Sequence, residues 1–169
     1  PNADRRPDDT QISLLVIHNI SLPPNEFAKN YVDHLFTNCL NPSCHPYFEE
    51  IGHLRVSAHL YIDREGIITQ YVPLNRRAWH AGESSFDNRT CCNDFSIGIE
   101  LQGADHIPYT EIQYSRLGCL TRQLQSFFPL ITLDRIVGHS DISPGRKTDP
   151  GDSFDWKRYL TLLQSGDAF

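Results

Sequence analysis

No stretch of the 169-residue sequence approaches the ~18 consecutive apolar residues that a membrane-crossing helix needs. The longest apolar runs, such as Leu14-Leu15-Val16-Ile17, suit a buried strand instead. Positive charge is also in short supply. Fifteen basic against 21 acidic residues give a net charge of −6, the opposite of what a general nucleic-acid or anionic-membrane binder carries. Methionine is absent, and the polar residues 1–9 lack the apolar core of a signal peptide. The five cysteines, Cys39, Cys44, Cys91, Cys92 and Cys119, are odd in number and include an adjacent pair. That is a poor disulfide framework, and free thiols in a reducing cytosol are the expectation. There is no internal repeat, low-complexity tract or linker. At roughly 100–200 residues per domain, residues 1–169 read as a single domain.

What is present is a mixture of strand and helix patterns. Residues 12–18 are short, apolar and rich in branched side chains, which predicts a buried strand ending at His18-Asn19, with continuation shut off by Pro23-Pro24. Asn25 is a candidate cap for a helix bearing Phe27, Tyr31 and Leu35. Residues 38–52 read as a long loop, the kind more often functional than idle. Residues 56–62 alternate and, with the turn Asp63-Arg64-Glu65-Gly66 and residues 67–72, predict a hairpin. Residues 73–93 read as loop. In residues 95–101, Phe95, Ile97, Ile99 and Leu101 share one face and Ser96, Gly98 and Glu100 the other. Thr110 and Gln113 form a capping-box pattern ahead of a helix carrying Tyr114, Leu117, Thr121, Leu124 and Phe128, stopped by Pro129. Residues 133–139 predict a short strand, residues 140–152 a Pro/Gly loop, and Ser153 opens a last helix facing Trp156, Tyr159, Leu160 and Leu163 inward. Strands and helices without strict alternation predict an α/β domain, a central mixed sheet flanked by helices.

Three side chains have the chemistry of a metal site. His18 and His139 each close a predicted strand, so adjacent strand ends would bring both rings to one sheet edge, where ligand sites commonly lie. Asp149 follows His139 by ten residues. Two imidazoles and a carboxylate suffice for a catalytic zinc with water in the fourth position. The helical His-Glu-x-x-His motif is missing, and the spacing Cys39-x4-Cys44-His45 with Cys91-Cys92 matches no common zinc motif. Taken singly, a histidine at a strand end is usually just a hydrogen-bonded surface residue. Glu100 shares its face with Ser96 and Gly98, whose small side chains predict open volume before the carboxylate, a setting for general-base hydrolysis; a solvated edge carboxylate is the alternative. Lys147 could stabilise an oxyanion or simply be a loop lysine in water.

Five ordered segments take the reading further: Leu15-Val16-Ile17-His18-Asn19 through Pro23-Pro24, Arg55-Val56-Ser57-Ala58-His59, Trp79-His80-Ala81-Gly82, Asn93-Asp94-Phe95 through Glu100-Leu101, and Gly138-His139 through Lys147-Thr148-Asp149-Pro150-Gly151. Over nearly the whole chain this pattern resembles the zinc-dependent N-acetylmuramoyl-L-alanine amidases that share the fold of peptidoglycan-recognition proteins. It is most similar to the cytoplasmic branch acting on 1,6-anhydro-N-acetylmuramyl-L-alanine in peptidoglycan recycling. The resemblance implies one zinc per chain on His18, His139 and Asp149, Glu100 as general base and Lys147 as the group that stabilises the intermediate. It also implies a small-molecule muropeptide as partner, with no nucleic acid or membrane, met by Asn19, Tyr47 and Arg55. Arginine's planar fork suits a stem-peptide carboxylate despite the net negative charge. Trp79 and His80 would offer an aromatic wall to the sugar, with core packing left open for Trp79. A monomeric, cytoplasmic hydrolase is the expectation. One departure is Cys91, where relatives often carry arginine; Arg89 is the nearby substitute.

Overall fold

The computed structural model describes residues 2–27 and 30–165. Its strands are β1 (Ala3–Arg5), β2 (Leu14–Ile20), β3 (Leu60–Ile62), β4 (Ile68–Gln70), β5 (Arg76–Ala78), β6 (Ser85–Phe86), β7 (Arg89–Thr90), β8 (Ser96–Gln102) and β9 (Ile136–Gly138). Its α-helices are α1 (Tyr31–Phe36), α2 (Pro46–Ile51), α3 (Glu111–Phe127), α4 (His139–Ile142) and α5 (Trp156–Gln164). The central sheet has the order β4-β3-β8-β2-β9. Its pairs β3–β8, β8–β2 and β2–β9 are parallel, and β4 joins β3 as an antiparallel edge. This is the mixed sheet the alternating patterns predict. Two small antiparallel ribbons, β1–β5 and β6–β7, lie outside it. No helix among the described residues is long and apolar enough to cross a membrane.

The strand period of two decides which side chains meet which layer. Leu15 and Ile17 of β2, Ile97, Ile99 and Leu101 of β8, and Leu60 and Ile62 of β3 pack with Leu117 and Leu124 of α3 and Tyr159 of α5. Leu14 and Val16 must then face the other way, where they meet Ala81, Phe95 and Ile142. His18, Ser96, Gly98 and Glu100 share that second face. Every residue of β8 is buried, as parallel strands covered on both sides require. The α3 capping box forms as predicted: Thr110 Oγ1 accepts from the Gln113 amide at 3.2 Å, and Gln113 Oε1 accepts from the Thr110 amide at 3.0 Å. Because Ile99 is fully buried between β2 and β3, Ile99→Ala is expected to lower the unfolding free energy by ~2–5 kcal/mol in a denaturant titration.

Several predicted boundaries move, each for a tertiary reason. The ladder between β2 and β8 continues through Ile20↔Gln102, so His18 lies inside β2 and does not end it. β3 is confined to Leu60–Ile62, which pair with Ile99–Leu101 of β8 on one side and with β4 on the other. Residues 133–135 form a 3-10 turn before β9, and His139 opens α4 directly after it. The predicted loop at 38–52 holds a 3-10 turn and α2; His45 Nδ1 caps α2 by accepting from the Tyr47 amide at 3.1 Å, with Pro46 at the first helical position. Residues 73–93 contain β5, β6 and β7. Asn25 has φ of +66°; α1 begins at Tyr31 with Asn30 at its cap position, and residues 28 and 29 of that predicted helix lie outside the described residues. Asp155, not Ser153, caps α5, accepting from the Arg158 amide at 2.9 Å. All five cysteines are free, as expected.

Candidate active site

Sheet register builds the site. In β2 and β8, His18 stands opposite Glu100, and on the far side Glu100 stands opposite Tyr61. Ile17 pairs with Gly138 of β9, so His139, one residue on, falls beside His18. The loop after α4 returns to this point, and the Ser140 amide donates to the Asp149 carbonyl at 3.0 Å. Three donor atoms thereby converge. His18 Nδ1, His139 Nδ1 and Asp149 Oδ2 lie 3.0 Å from one another in all three pairs. Both imidazoles are almost wholly buried. This is the one group among the described residues whose ligating atoms are close enough to hold a metal ion.

The surroundings give these atoms the protonation a metal needs. His139 Nε2 lies 3.0 Å from the Ala81 carbonyl, which can only accept. The ring proton therefore sits on Nε2 and Nδ1 carries a lone pair. Burial pushes the His18 pKa down to about 4, despite the neighbouring Asp149 carboxylate, so this ring is neutral at physiological pH. For Asp149, burial opposes ionisation, but the hydrogen bonds to His139 and His18 outweigh it and hold the carboxyl well below the ordinary range. Two imidazoles and a carboxylate, with their donor atoms facing one point, fit a divalent cation of zinc's ligand preference.

Glu100 is not the solvated edge carboxylate of the alternative reading. It is 9% exposed, and its Oε2 is buried without a hydrogen-bond partner. Burial first, then the negative charge of Asp149, raise its pKa well above 4.5, with Lys147 pulling the other way. The expected open volume above Gly98 is filled, however. A Cβ at Gly98 would lie 2.5 Å from Cγ and Nδ1 of His80, so the glycine admits that ring. Space lies instead in a cleft of ≈ 310 Å³. Asn19, Tyr47, Trp79, His80, Glu100 and Lys147 line it together with His139 and Asp149, opposite an apolar wall that includes Leu22, Phe36 and Ile51. His18 lies beneath this surface.

Arg55 is the one predicted site residue outside both the cleft lining and the ligand cluster. Its guanidinium turns to the carbonyls of His53 and Leu54, although Leu54 and Val56 on either side line the cleft. Arg89 stacks on Phe95 at 4.0 Å and does not reach the lining. Sequence reasoning missed three supports. Asp105 accepts from Asn19 Nδ2 at 2.8 Å. Asn93 Oδ1 accepts from the amides of His80 and Ala81 at 3.1 and 2.8 Å. Arg146 Nη2 donates to the Ala81 and Glu83 carbonyls at 2.7 and 2.6 Å. Asn93 and Arg146 fall inside segments that carry the family resemblance, but nothing in their spacing marks those partners.

Comparison with known proteins agrees with this geometry. A family described as N-acetylmuramoyl-L-alanine amidase matches residues 8–152. The chain is 58% identical over 164 residues to the 1,6-anhydro-N-acetylmuramyl-L-alanine amidase AmpD of Haemophilus influenzae, spanning 97% of this chain and 89% of that protein. Against AmpD of Escherichia coli it is 55% identical over 163 residues, 96% of this chain and 88% of that one. The crystal structure of a selenomethionine AmpD derivative superposes with a TM-score of 0.94 at 55% identity, covering 96% of this chain and 90% of that chain. At 27% identity and a TM-score of 0.70, the fold also matches AmiD from E. coli in complex with anhydro-N-acetylmuramic acid-L-Ala-D-gamma-Glu-L-Lys, over 94% of this chain and 60% of that chain. A family match across most of the length, relatives above half identity and a shared fold lead to one conclusion: this chain belongs to the N-acetylmuramoyl-L-alanine amidases.

Proposed function

We propose that this chain, acting as a single domain, hydrolyses the amide bond between 1,6-anhydro-N-acetylmuramic acid and L-alanine of muropeptides, in cytoplasmic peptidoglycan recycling. The observation that carries the reading is the convergence of His18, His139 and Asp149 beside the buried, unpartnered Glu100 Oε2 on one cleft. These three side chains would hold one zinc ion. When bound, zinc polarises the scissile carbonyl and lowers the pKa of the water beside it.

The protein's own groups do the rest. Glu100 takes a proton from the attacking water as its oxygen bonds to the amide carbon. It then returns that proton to the alanine nitrogen as the C–N bond breaks, and the upward shift that burial gives its pKa suits the transfer in both directions. The products are the lactyl carboxylate and a free amine. Lys147, on the cleft wall, supplies positive charge where the carbonyl oxygen becomes an oxyanion. Asn19, held from behind by Asp105, together with Tyr47, Trp79 and His80, would contact the muropeptide. Arg55, beside the cleft, would swing its fork onto a stem-peptide carboxylate. A free-thiol, odd-cysteine chain suits the reducing cytoplasm, and we take the active form to be a monomer, which light scattering would check.

The reading is tested by product analysis on paired substrates, one ending in 1,6-anhydro-muramic acid and one in the ordinary reducing sugar. Alanine-terminated peptide should be released with strong preference from the anhydro form. Equal turnover of both would remove the recycling role, and no turnover of either would leave a binding module. For Arg55→Ala the expectation is a raised KM with kcat nearly kept, since an exposed clamp on the peptide acts in ground state and transition state alike. A collapse of kcat at unchanged KM would place Arg55 in the chemistry instead.

A further inference from the structure

We infer that the consecutive residues His80 and Ala81 are positioning residues that set the tautomers of both metal-binding imidazoles, so that each offers its Nδ1 lone pair to the same point. The inference rests on the zinc reading above and adds to it. Both rings turn Nδ1 inward, so both must carry their proton on Nε2, and a buried ring N–H needs an acceptor. For His139 that acceptor is the Ala81 carbonyl at 3.0 Å. For His18 it is His80 Nδ1 at 2.8 Å. His80 can accept there only with its own proton on Nε2, and Ser96 Oγ stands 3.0 Å from that nitrogen to receive it. The direction of each hydrogen bond therefore follows from the one before it, from the inward Nδ1 of His18 through His80 to Ser96, whose hydroxyl can accept.

The pair is itself clamped. Asn93 Oδ1 takes both amides, His80 at 3.1 Å and Ala81 at 2.8 Å. On the sheet side Gly98 leaves just enough room for the His80 ring. With both of its nitrogens engaged on protein atoms, His80 has no ring donor or acceptor left for a sugar. Its contribution to the cleft wall is then secondary to its hold on His18.

The test measures zinc dissociation constants by competition with a chromophoric chelator, KM on the anhydro-muropeptide, and thermal unfolding of the metal-free proteins. It compares the parent with His80→Ala, His80→Asn and Ser96→Ala. His80→Ala should weaken zinc binding ~10–100-fold, as loss of a ligand's hydrogen-bond partner typically does. His80→Asn, whose Oδ1 falls where Nδ1 was, should recover most of that affinity. Ser96→Ala leaves the His80 Nε2 proton without an acceptor and favours the opposite tautomer, so it should weaken zinc while removing a single oxygen. That variant keeps the test decisive if His80→Ala fails to fold. Parental zinc affinity in both His80→Ala and Ser96→Ala, with a raised KM for the former, would overturn the inference and return His80 to the sugar wall. Equal loss in the alanine and asparagine variants would reduce its role to volume. A parent that binds no zinc would instead overturn the zinc reading itself.

Discussion

Asp149→Ala is expected to lose bound zinc and amidase activity together. The parent should hold about one zinc per chain, because a catalytic site of this type uses three protein ligands. The variant keeps only His18 and His139, and two imidazoles alone do not retain the ion through dialysis against a chelator. Turnover should fall to background. The zinc-loaded parent should also melt higher than the variant, since an ion that binds only the folded state stabilises it by roughly 4 kcal/mol at a thousandfold excess over its Kd. Most of that gap should vanish when the parent is stripped of metal. The residual difference reports the loss of the Asp149 carboxylate from its place 3.0 Å from each imidazole Nδ1. Full activity with a parental zinc content in Asp149→Ala would exclude it as a ligand.

Glu100→Gln separates catalysis from metal binding. The amide matches the carboxylate in volume but cannot take up a proton from water, so kcat should drop by ~10²–10⁴ with zinc still near one per chain. Loss of zinc would make Glu100 a ligand, and near-parental turnover would leave the general base to be found elsewhere. The same variant carries a stability signature. Burial raises the Glu100 pKa in the folded protein, so the unfolded chain releases this proton more readily. The contribution of Glu100 to stability is then fully present below the ordinary carboxylate pKa and is lost as pH rises through the raised folded value. Metal-free Glu100→Gln should therefore melt higher than metal-free parent at neutral pH, and the difference should shrink on acidification. A buried carboxylate that costs stability yet serves the reaction is a common trade at active sites.

Much of this was legible from residue spacing. Alternation in β8 assigned Ile97, Ile99 and Leu101 to the layer under α3 and put Glu100 on the opposite face, and the Thr110–Gln113 capping box placed the start of α3. These are local rules: a strand has period two, a helix start needs caps, and neither depends on distant chain. Spacing alone did not single out His18 and His139 as candidate ligands; the ordered set of segments did. Element ends were less legible, because a strand lasts only as far as its pairing with distant chain. β3 pairs over three residues although β8 runs for seven, and β2 runs past His18 because its ladder with β8 does.

The sequence by itself determined the two alternating central strands, the capped long helix and the candidate residues proposed to hold zinc and move protons. The tertiary structure alone decided how those residues are supported. His18 meets His139 across 121 residues of chain and His80 across 62, and no periodicity reaches so far. Only packing shows that His80 fills the space over Gly98, that Ala81 and Asn93 stand behind the ligands, and that Arg55 turns back towards its own backbone. The reason is physical. Local conformation depends on a few neighbouring dihedrals and side chains. A donor's tautomer depends on whichever acceptor the folded chain brings within 3 Å of it.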